Sequence, residues 1–397
     1  MRQRRQFAKQ LTKNMRGQMG KTVYVGMSGG VDSSVSALLL KEQGYNVVGV
    51  YMKNWSRDLP GMKCPWAEDL ADAKRVAVKL GIDFKVFDFE KEYHDKVVDY
   101  MLAEFKAGRT PNPDIMCNQE IKFKLFYEVS MEQGADFIAT GHYARVKDGK
   151  LLRAADENKD QTYFLYRISE EALSHTLFPI GDMLKPDVKK LAAEKGLHNA
   201  YRKESMGVCF VGDVGMDDFL KEYFPITPGD IIDAETGEKL GVHEGAVFYT
   251  IGQRHGLNIG GGLPYYVVSK DMDKNIVFVS KNLNNKEIWT KELKLKDVVI
   301  RADTSELGGF RSAAARELAP AARGARPSGR ELPKANGPAG RDPELEVLVR
   351  LRHRAPLIPA TFDGEILRFE NEIKRPASGQ SAVLYDGEEC LGGGIID

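Results

Sequence analysis

Cysteine is scarce in this chain. There are four in 397 residues, at positions 64, 117, 209 and 390, and no two form a C-x-x-C pair. That spacing argues against a zinc ribbon or an iron–sulfur cluster built on paired cysteines. A disulfide scaffold is equally out of place at this size, and a reducing, cytosolic compartment fits better. Net charge is also absent, with 57 Lys and Arg against 57 Asp and Glu, so any nucleic-acid contact must come from local patches. No apolar run is long enough to span a membrane. The first twenty residues contain no acid and lack the apolar stretch of a secretory signal. Their Arg2, Arg4, Arg5, Lys9, Lys13 and Arg16 surround Phe7, Leu11 and Met15 at four-residue spacing, a basic pattern too poor in serine for a transit peptide. We read residues 1–20 as a basic tail. No internal repeat is apparent.

What is present is an ordinary apolar content of 42%, enough for two or three domains. From Lys21 to about Asp136, buried-strand patterns alternate with helical ones. Val23–Val25, Tyr45–Met52, Phe84–Phe89 and Phe137–Thr140 read as strands. Glu68–Leu80, Tyr93–Phe105 and Ile121–Val129 read as helices, stopped by Gly81, Gly108 and Gly134. This order predicts an α/β, doubly wound parallel sheet with its ligand crevice at the carboxyl ends of the strands, where Ser28, Met52 and Thr140 fall. Loops and helices continue this lobe to about residue 215. Beyond Phe224-Pro-Ile-Thr-Pro-Gly229, short β-like runs at 246–251, 265–269 and 275–280 predict a small, mostly β central domain over residues 216–288. Runs at 345–351, 365–369 and 381–385 predict a C-terminal β-barrel domain over residues 289–397. It is interrupted at 305–342 by an Ala-, Gly-, Pro- and Arg-rich insertion with little to bury, read as a solvated loop.

The densest chemistry lies in Ser28-Gly-Gly-Val-Asp-Ser-Ser34, between a strand and a helix N-terminus. Glycines let backbone approach a ligand closely. Free N–H groups and the helix dipole favour an anion, and Ser28, Ser33 and Ser34 add hydroxyl donors. No Gly-Lys-Ser/Thr follows, so this is not a Walker A loop. Asp32 stands where that motif places a cation, so a metal ion is expected to offset its charge. The loop resembles the pyrophosphate loop of ATP pyrophosphatases, which cut ATP between its α and β phosphates.

Two further stretches carry cysteine. In Gly108-Arg-Thr-Pro-Asn-Pro-Asp-Ile-Met-Cys-Asn118, Pro111 and Pro113 hold the loop out of helix. Asp114 precedes Cys117 by three residues, and Cys117 is placed where a helix begins, a position that favours thiolate. Cys209 lies in Gly207-Val-Cys-Phe-Val-Gly212. Either cysteine alone reads as a small buried hydrophobe. Together with a nucleotide loop, the pair suggests sulfur transfer through a transient disulfide. Cys64 and Cys390 read as packing thiols, His255 as a loop residue, and Trp55 and Trp66 as core or lid packing. Lys122 and Lys124 fit a solvated face and a phosphate contact equally well.

The ordered set of blocks is similar to the tRNA-specific 2-thiouridylase family. It comprises Ser28–Ser33, Arg109–Asp114, Cys117-Asn118 with Ile121–Phe123, Thr140–Ala144, Lys159–Phe164, Gly207–Phe210, Thr250–Arg254 with Gly256-Leu257, Ser378–Gln380 and Gly392–Gly394. The resemblance implies a PP-loop ATP pyrophosphatase domain followed by the two smaller domains. It implies that Gly26, Met27, Ser28, Gly29, Gly30, Val31, Asp32, Ser33, Met52 and Gly141 bind ATP, with Mg²⁺ at Asp32. Asn112, Pro113 and Asp114 meet the target base, and His142, Lys159, Asp160, Gln161, Gln380 and the pair Arg352-His353 contact tRNA. The family has Arg-Tyr where this chain has Arg352-His353, which changes the stacking surface there. Cys117 is the implied nucleophile, Cys209 the persulfide carrier, and Asp114 a proton handler. The implied partners are tRNA carrying a wobble uridine (those for Lys, Glu and Gln) and a cysteine desulfurase or relay protein as sulfur donor. The expectation is a cytoplasmic monomer. Another adenylating ligase would need an amine acceptor and no cysteine pair. A tRNA-binding module with a dead nucleotide fold would be expected to have lost Ser28, Asp32 or a cysteine.

Overall fold

The computed structural model describes residues 20–58, 64–203, 215–260, 263–282, 284–285, 287–301 and 344–397. The basic tail, the 305–342 insertion and Cys209 lie outside them. The first body is a five-stranded sheet of order β3-β2-β1-β4-β7, parallel throughout. Its strands are β1 (Thr22–Gly26), β2 (Asn46–Lys53), β3 (Asp83–Asp88), β4 (Phe137–Ala139) and β7 (Thr176–Leu177). Both faces are covered, so the strands are near-continuous apolar runs. Tyr24, Val48 and Val50 pack into one core, while Val23, Val25, Val47 and Tyr51 pack into a second core on the opposite face.

Helix α1 (Val31–Glu42) follows β1, and α2 (Trp66–Leu80) follows β2. The latter ends on Gly81 in the left-handed region, φ 58°, as the glycine stop predicted. Helix α3 runs through Glu90–Tyr93, His94–Val98 and Asp99–Lys106, and α4 through Pro113–Met116, Cys117–Leu125 and Phe126–Glu132. The middle segment of each is wound as a wide, five-residue π-turn. Helix α4 thus begins at Pro113, eight residues before the predicted Ile121, because Asn112 caps it: its Oδ1 accepts from the Ile115 N–H at 3.3 Å. Cys117 consequently sits a full turn inside the helix, not at its first residue.

The hairpin β5 (Arg145–Lys147) and β6 (Lys150–Leu152) leads to α5 (Glu170–Ser174), α6 (Lys185–Glu194) and α7 (Met216–Lys221). The central body is a four-stranded sheet of order β10-β11-β8-β9, from β8 (Gly229–Asp233), β9 (Lys239–His243), β10 (Tyr266–Asp271) and β11 (Ile276–Ser280). The predicted strand at 246–251 is instead a single 3₁₀ turn, Ala246–Phe248, wound around Gly245 at φ 153°. The third body is a closed six-stranded barrel, β12-β15-β14-β13-β16-β17 with β17 returning to β12. Its strands are β12 (Trp289–Ile300), β13 (Leu345–Arg350), β14 (Ile358–Phe362), β15 (Ile366–Lys374), β16 (Ser381–Asp386) and β17 (Glu389–Ile396). Closure needs glycine in β17: a Cβ on Gly392 would lie 2.0 Å from the Val299 carbonyl oxygen, and one on Gly393 2.3 Å from that of Ala382. The β5–β6 hairpin joins this sheet through Glu389 opposite Leu152, so the first body lends strands to the barrel.

Candidate active site

The carboxyl ends of β1, β2 and β4 open on a cleft of about 370 Å³. It is lined by Gly26, Met27, Ser28, Asp32 and Ser33 from the β1–α1 loop, by Met52 at the end of β2, and by Thr140, Gly141 and His142 after β4. From α4 come Asp114, Cys117 and Lys122. Gln161, Trp66, Asp69 and Cys64 also line it, with Tyr51, Asn54, Trp55 and Pro65. Strand ends and α4 meet here because the strand order reverses between β1 and β4, the switch point where parallel sheets bind ligands.

The loop is folded back on its own hydroxyls. Ser33 Oγ accepts from the Ser28 N–H at 3.2 Å and donates to the Gly30 carbonyl at 3.2 Å. Ser34 Oγ donates to the same carbonyl at 2.8 Å. Asn199 Nδ2 donates to the Gly29 carbonyl at 2.7 Å and to Ser34 Oγ at 2.9 Å, holding the loop from behind. Two glycines are forced by space. Gly29 has φ +77° and a Cβ there would lie 2.6 Å from the Asp69 carbonyl oxygen. A Cβ on Gly141 would lie 2.6 Å from the Ser33 nitrogen, so the loop after β4 can come this close to the start of α1 only with glycine at 141.

Asp32 has a partner that the sequence pattern did not reveal. Lys185 Nζ lies 2.8 and 2.7 Å from its two carboxylate oxygens, and Tyr143 OH donates to Oδ1 at 3.0 Å. Lys185 is only 6% exposed, and its approach is made from 153 residues away. The charge expected to be offset by metal is thus met by an ammonium. Nothing in the local sequence of Lys185 marks it; only the packing of α6 against α1 brings it there.

Burial pushes the Asp114 carboxyl above its ordinary value, with the Lys122 charge opposing the shift. His142 is pushed well below its ordinary value by burial, and also by Lys122, so its ring is neutral. It bonds through Nδ1 to Thr140 Oγ1 at 2.7 Å and packs beside Phe123 and Phe178. Cys117 is 3% exposed on the cleft wall. Cys64 lines the same wall, with its N–H donating to Asp58 Oδ1 at 2.8 Å. Lys124, by contrast, faces outward and pairs with Glu120 at 3.1 Å.

The other expected contact residues divide. Asn112 and Pro113 form the cap and first turn of α4. Gln161 reaches the cleft, and its Oε1 accepts from the Tyr143 N–H at 2.9 Å. Asp160 does not face out: it is 1% exposed, pairs with Arg350 at 2.6 Å and accepts from Thr162 Oγ1 at 2.9 Å. It ties the first body to the barrel. Gln380 Nε2 donates to the Thr110 carbonyl at 2.8 Å, tying the barrel to the loop before α4. Lys159 is half-buried and Arg352 exposed. The His353 ring packs on Phe164 at 4.6 Å, and burial takes it down to about 4. Cys390 is a packing thiol, as read from sequence, pushed up to about 12 by burial.

Among the described residues, the one group of three side chains close enough to share an ion is His94, Asp95 and Asp99 on α3, away from this cleft. No helix among them is long and apolar enough to cross a membrane.

A parallel-sheet domain with a glycine- and serine-rich loop at its switch point, carrying a thiol at the same cleft and two appended β domains, defines the class. Residues 21–213 match the family described as the tRNA methyl transferase HUP domain. Residues 217–281 match its PRC-barrel domain, and 333–396 the aminomethyltransferase β-barrel domain. Over 380 residues the chain is 46% identical to the tRNA-specific 2-thiouridylase MnmA 2 of Geobacillus kaustophilus, covering 94% of each. It is 44% identical over 382 residues to the tRNA-specific 2-thiouridylase MnmA of Bacillus subtilis, again covering 94% of each. The chain belongs to the tRNA-specific 2-thiouridylase family of enzymes. Among solved structures, the U34-tRNA thiolase NcsA of Methanococcus maripaludis overlaps 55% of this chain and 74% of its own, at TM-score 0.34 and 20% identity.

Proposed function

We propose that this enzyme is a tRNA 2-thiouridine synthase. It adenylates the C2 oxygen of the wobble uridine with ATP, releasing pyrophosphate, and then replaces that oxygen with sulfur, releasing AMP. The supporting observation is the convergence of the Ser28–Ser33 loop with Asp114 and Cys117 on one cleft. A C2 oxygen is a poor leaving group until it is esterified to phosphate, which explains why an adenylating loop and a thiol share one wall.

In this reading, Gly26 to Ser33, Met52 and Gly141 hold ATP, the phosphates lying against the loop N–H groups and the start of α1. The oxygen attacks the α phosphorus and pyrophosphate leaves. Cys209 brings a persulfide. Cys117 attacks its inner sulfur, a Cys117–Cys209 disulfide forms, and hydrosulfide is released to attack C2. AMP then departs with the oxygen. Asp114, held toward its protonated form by burial, supplies or takes a proton at the base. Asn112, Pro113, His142, Lys159, Gln161, Arg352, His353 and Gln380 face or position the RNA, and Asp160 keeps that platform fixed. The base must leave its stack to enter a cleft of this size.

Asp32 offers the cleft one carboxylate, and Lys185 bonds both of its oxygens. These residues do not make a magnesium cage. A magnesium ion accompanying the nucleotide would rely on phosphate and water rather than on this pair, and would supply positive charge at the phosphates. The sulfur donor is a cysteine desulfurase or a relay protein, the tRNAs are those for Lys, Glu and Gln, and the protein works as a cytoplasmic monomer. Domain limits at 215/216 and 288/289 complete the reading.

The test is pyrophosphate release from ATP with and without tRNA. Release that needs a tRNA with a wobble uridine supports the assignment. Release driven by an amine, or none at all, contradicts it.

A further inference from the structure

We propose that Lys122 is a positioning residue that holds the Cys117 sulfur as a thiolate, its ammonium brought onto the face of Cys117 by the π-wound segment that joins them. This rests on the reading of Cys117 as the nucleophile. In an α-helix, residues 117 and 122 would point about 140° apart. Here the segment Cys117–Leu125 is π-wound, and the following Phe126 N–H donates to the Ile121 carbonyl, five residues back. With i→i+5 bonds a turn holds roughly 4.4 residues, which brings residue 122 to within about 50° of 117 around the axis, on the same side of the helix. Both line the cleft with Asp114 and His142.

Lys122 is the one lysine or arginine on the described cleft wall. Among the described residues its ammonium has no hydrogen-bond or ion-pair partner, whereas Lys124, two residues on, has Glu120. The acids that could compete for it are already answered. Asp32, from α1, is held by Lys185 and Tyr143, and Asp69, from α2, by Arg202. Asp114, from the first turn of α4, is driven by burial toward its neutral form, and His142, from the loop after β4, is neutral. Lys122 lines the same cleft as both of these groups, and its charge bears on each. A half-buried cation with no bonded carboxylate is a site for an anion, and a group on the same side of its own helix that can become an anion is the Cys117 thiol. A cation so placed lowers a thiol pKa.

The test uses the reduced, full-length protein without tRNA or sulfur donor, so it reads out even where the thiolation assignment fails. Alkylation of Cys117 by iodoacetamide is followed against pH by peptide mass spectrometry, which separates it from the other three thiols. Sulfur bonds to carbon, iodide leaves and the thiol proton goes to water. Lys122→Gln is expected to move the midpoint up by about one pH unit, cutting the rate at neutral pH roughly tenfold. Lys122→Arg keeps the midpoint near that of the unmodified protein, and Lys122→Met repeats the Gln result on a second uncharged side chain. An unchanged midpoint in Gln and Met overturns the proposal. ATP affinity, measured by calorimetry on the same proteins, is expected to hold. Lost affinity with an unchanged midpoint makes Lys122 a phosphate contact instead.

Discussion

At the scale of the residue, the account turns on charges that burial sets. Asp114 has its carboxyl raised above the usual 3.8. An acid that prefers its proton when folded costs nothing below its unfolded value. It becomes a stability cost as pH rises from there to the folded value, and the cost stays constant beyond. Asp114→Asn is therefore expected to raise the melting temperature at pH 7 and to leave it nearly unchanged near pH 3, while abolishing thiolation. A lower melting temperature at pH 7 would show that the carboxylate is a structural partner. Asp32 and Lys185 are expected to couple. A double-mutant cycle of Asp32→Asn and Lys185→Met, read by denaturant unfolding, should give an interaction of roughly 0.5–3 kcal/mol. Additivity would mean that the pair is not formed in solution. The two residues differ in legibility. Asp32 stands in a dense motif, and its role as a loop acid could be read from sequence. Lys185 stands in an ordinary helix start, and its partner is distant in the chain, so only tertiary packing discloses it.

At the scale of the element, α4 does most of the positioning. Its cap, its π-turn and its cleft face are all set within Asn112–Leu125. Asn112→Ala removes the cap and is expected to cost about 1 kcal/mol in denaturant unfolding. It should slow Cys117 alkylation as well, since the first turn carries Asp114 and aims the thiol. A stability loss with unaltered thiol reactivity would separate cap from site. The helix was only half legible in sequence. The glycine stop was readable, but two prolines made the start look like loop, because one of them serves as the first helical residue. The strands β1 to β4 were legible as apolar runs bounded by glycine and polar residues. Strand β17 was not, since Gly392–Gly394 reads as a breaker until close strand approach in the barrel is known.

At the scale of the whole molecule, the first body and the barrel are held together by the residues around 160–167. Asp160 pairs with Arg350 with both side chains nearly fully buried. Tyr163 OH donates to the Ser381 carbonyl at 3.0 Å, and Arg301 donates to that of Leu165 at 3.0 Å. Arg350→Met removes the closest cation from a buried carboxylate, leaving it Arg153 at 3.9 Å and the Thr162 hydroxyl, and a loss on the order of 3 kcal/mol is expected, read as early release of the barrel in limited proteolysis during a thermal ramp. A barrel that stays protected would place the interface elsewhere. Domain order was readable from composition, whereas the loan of β5 and β6 to the barrel sheet was not, because a hairpin's partner leaves no mark on its own residues.

The central claim is that one cleft both adenylates a uridine and delivers sulfur to it. Mass spectrometry of a wobble-uridine tRNA, after incubation with the enzyme, ATP and a persulfide donor, tests this most directly. The account predicts a mass gain on that uridine equal to the exchange of one oxygen for sulfur, lost without ATP and lost in Cys117→Ala and Cys209→Ala. Full thiolation in either cysteine variant, or without ATP, would contradict it.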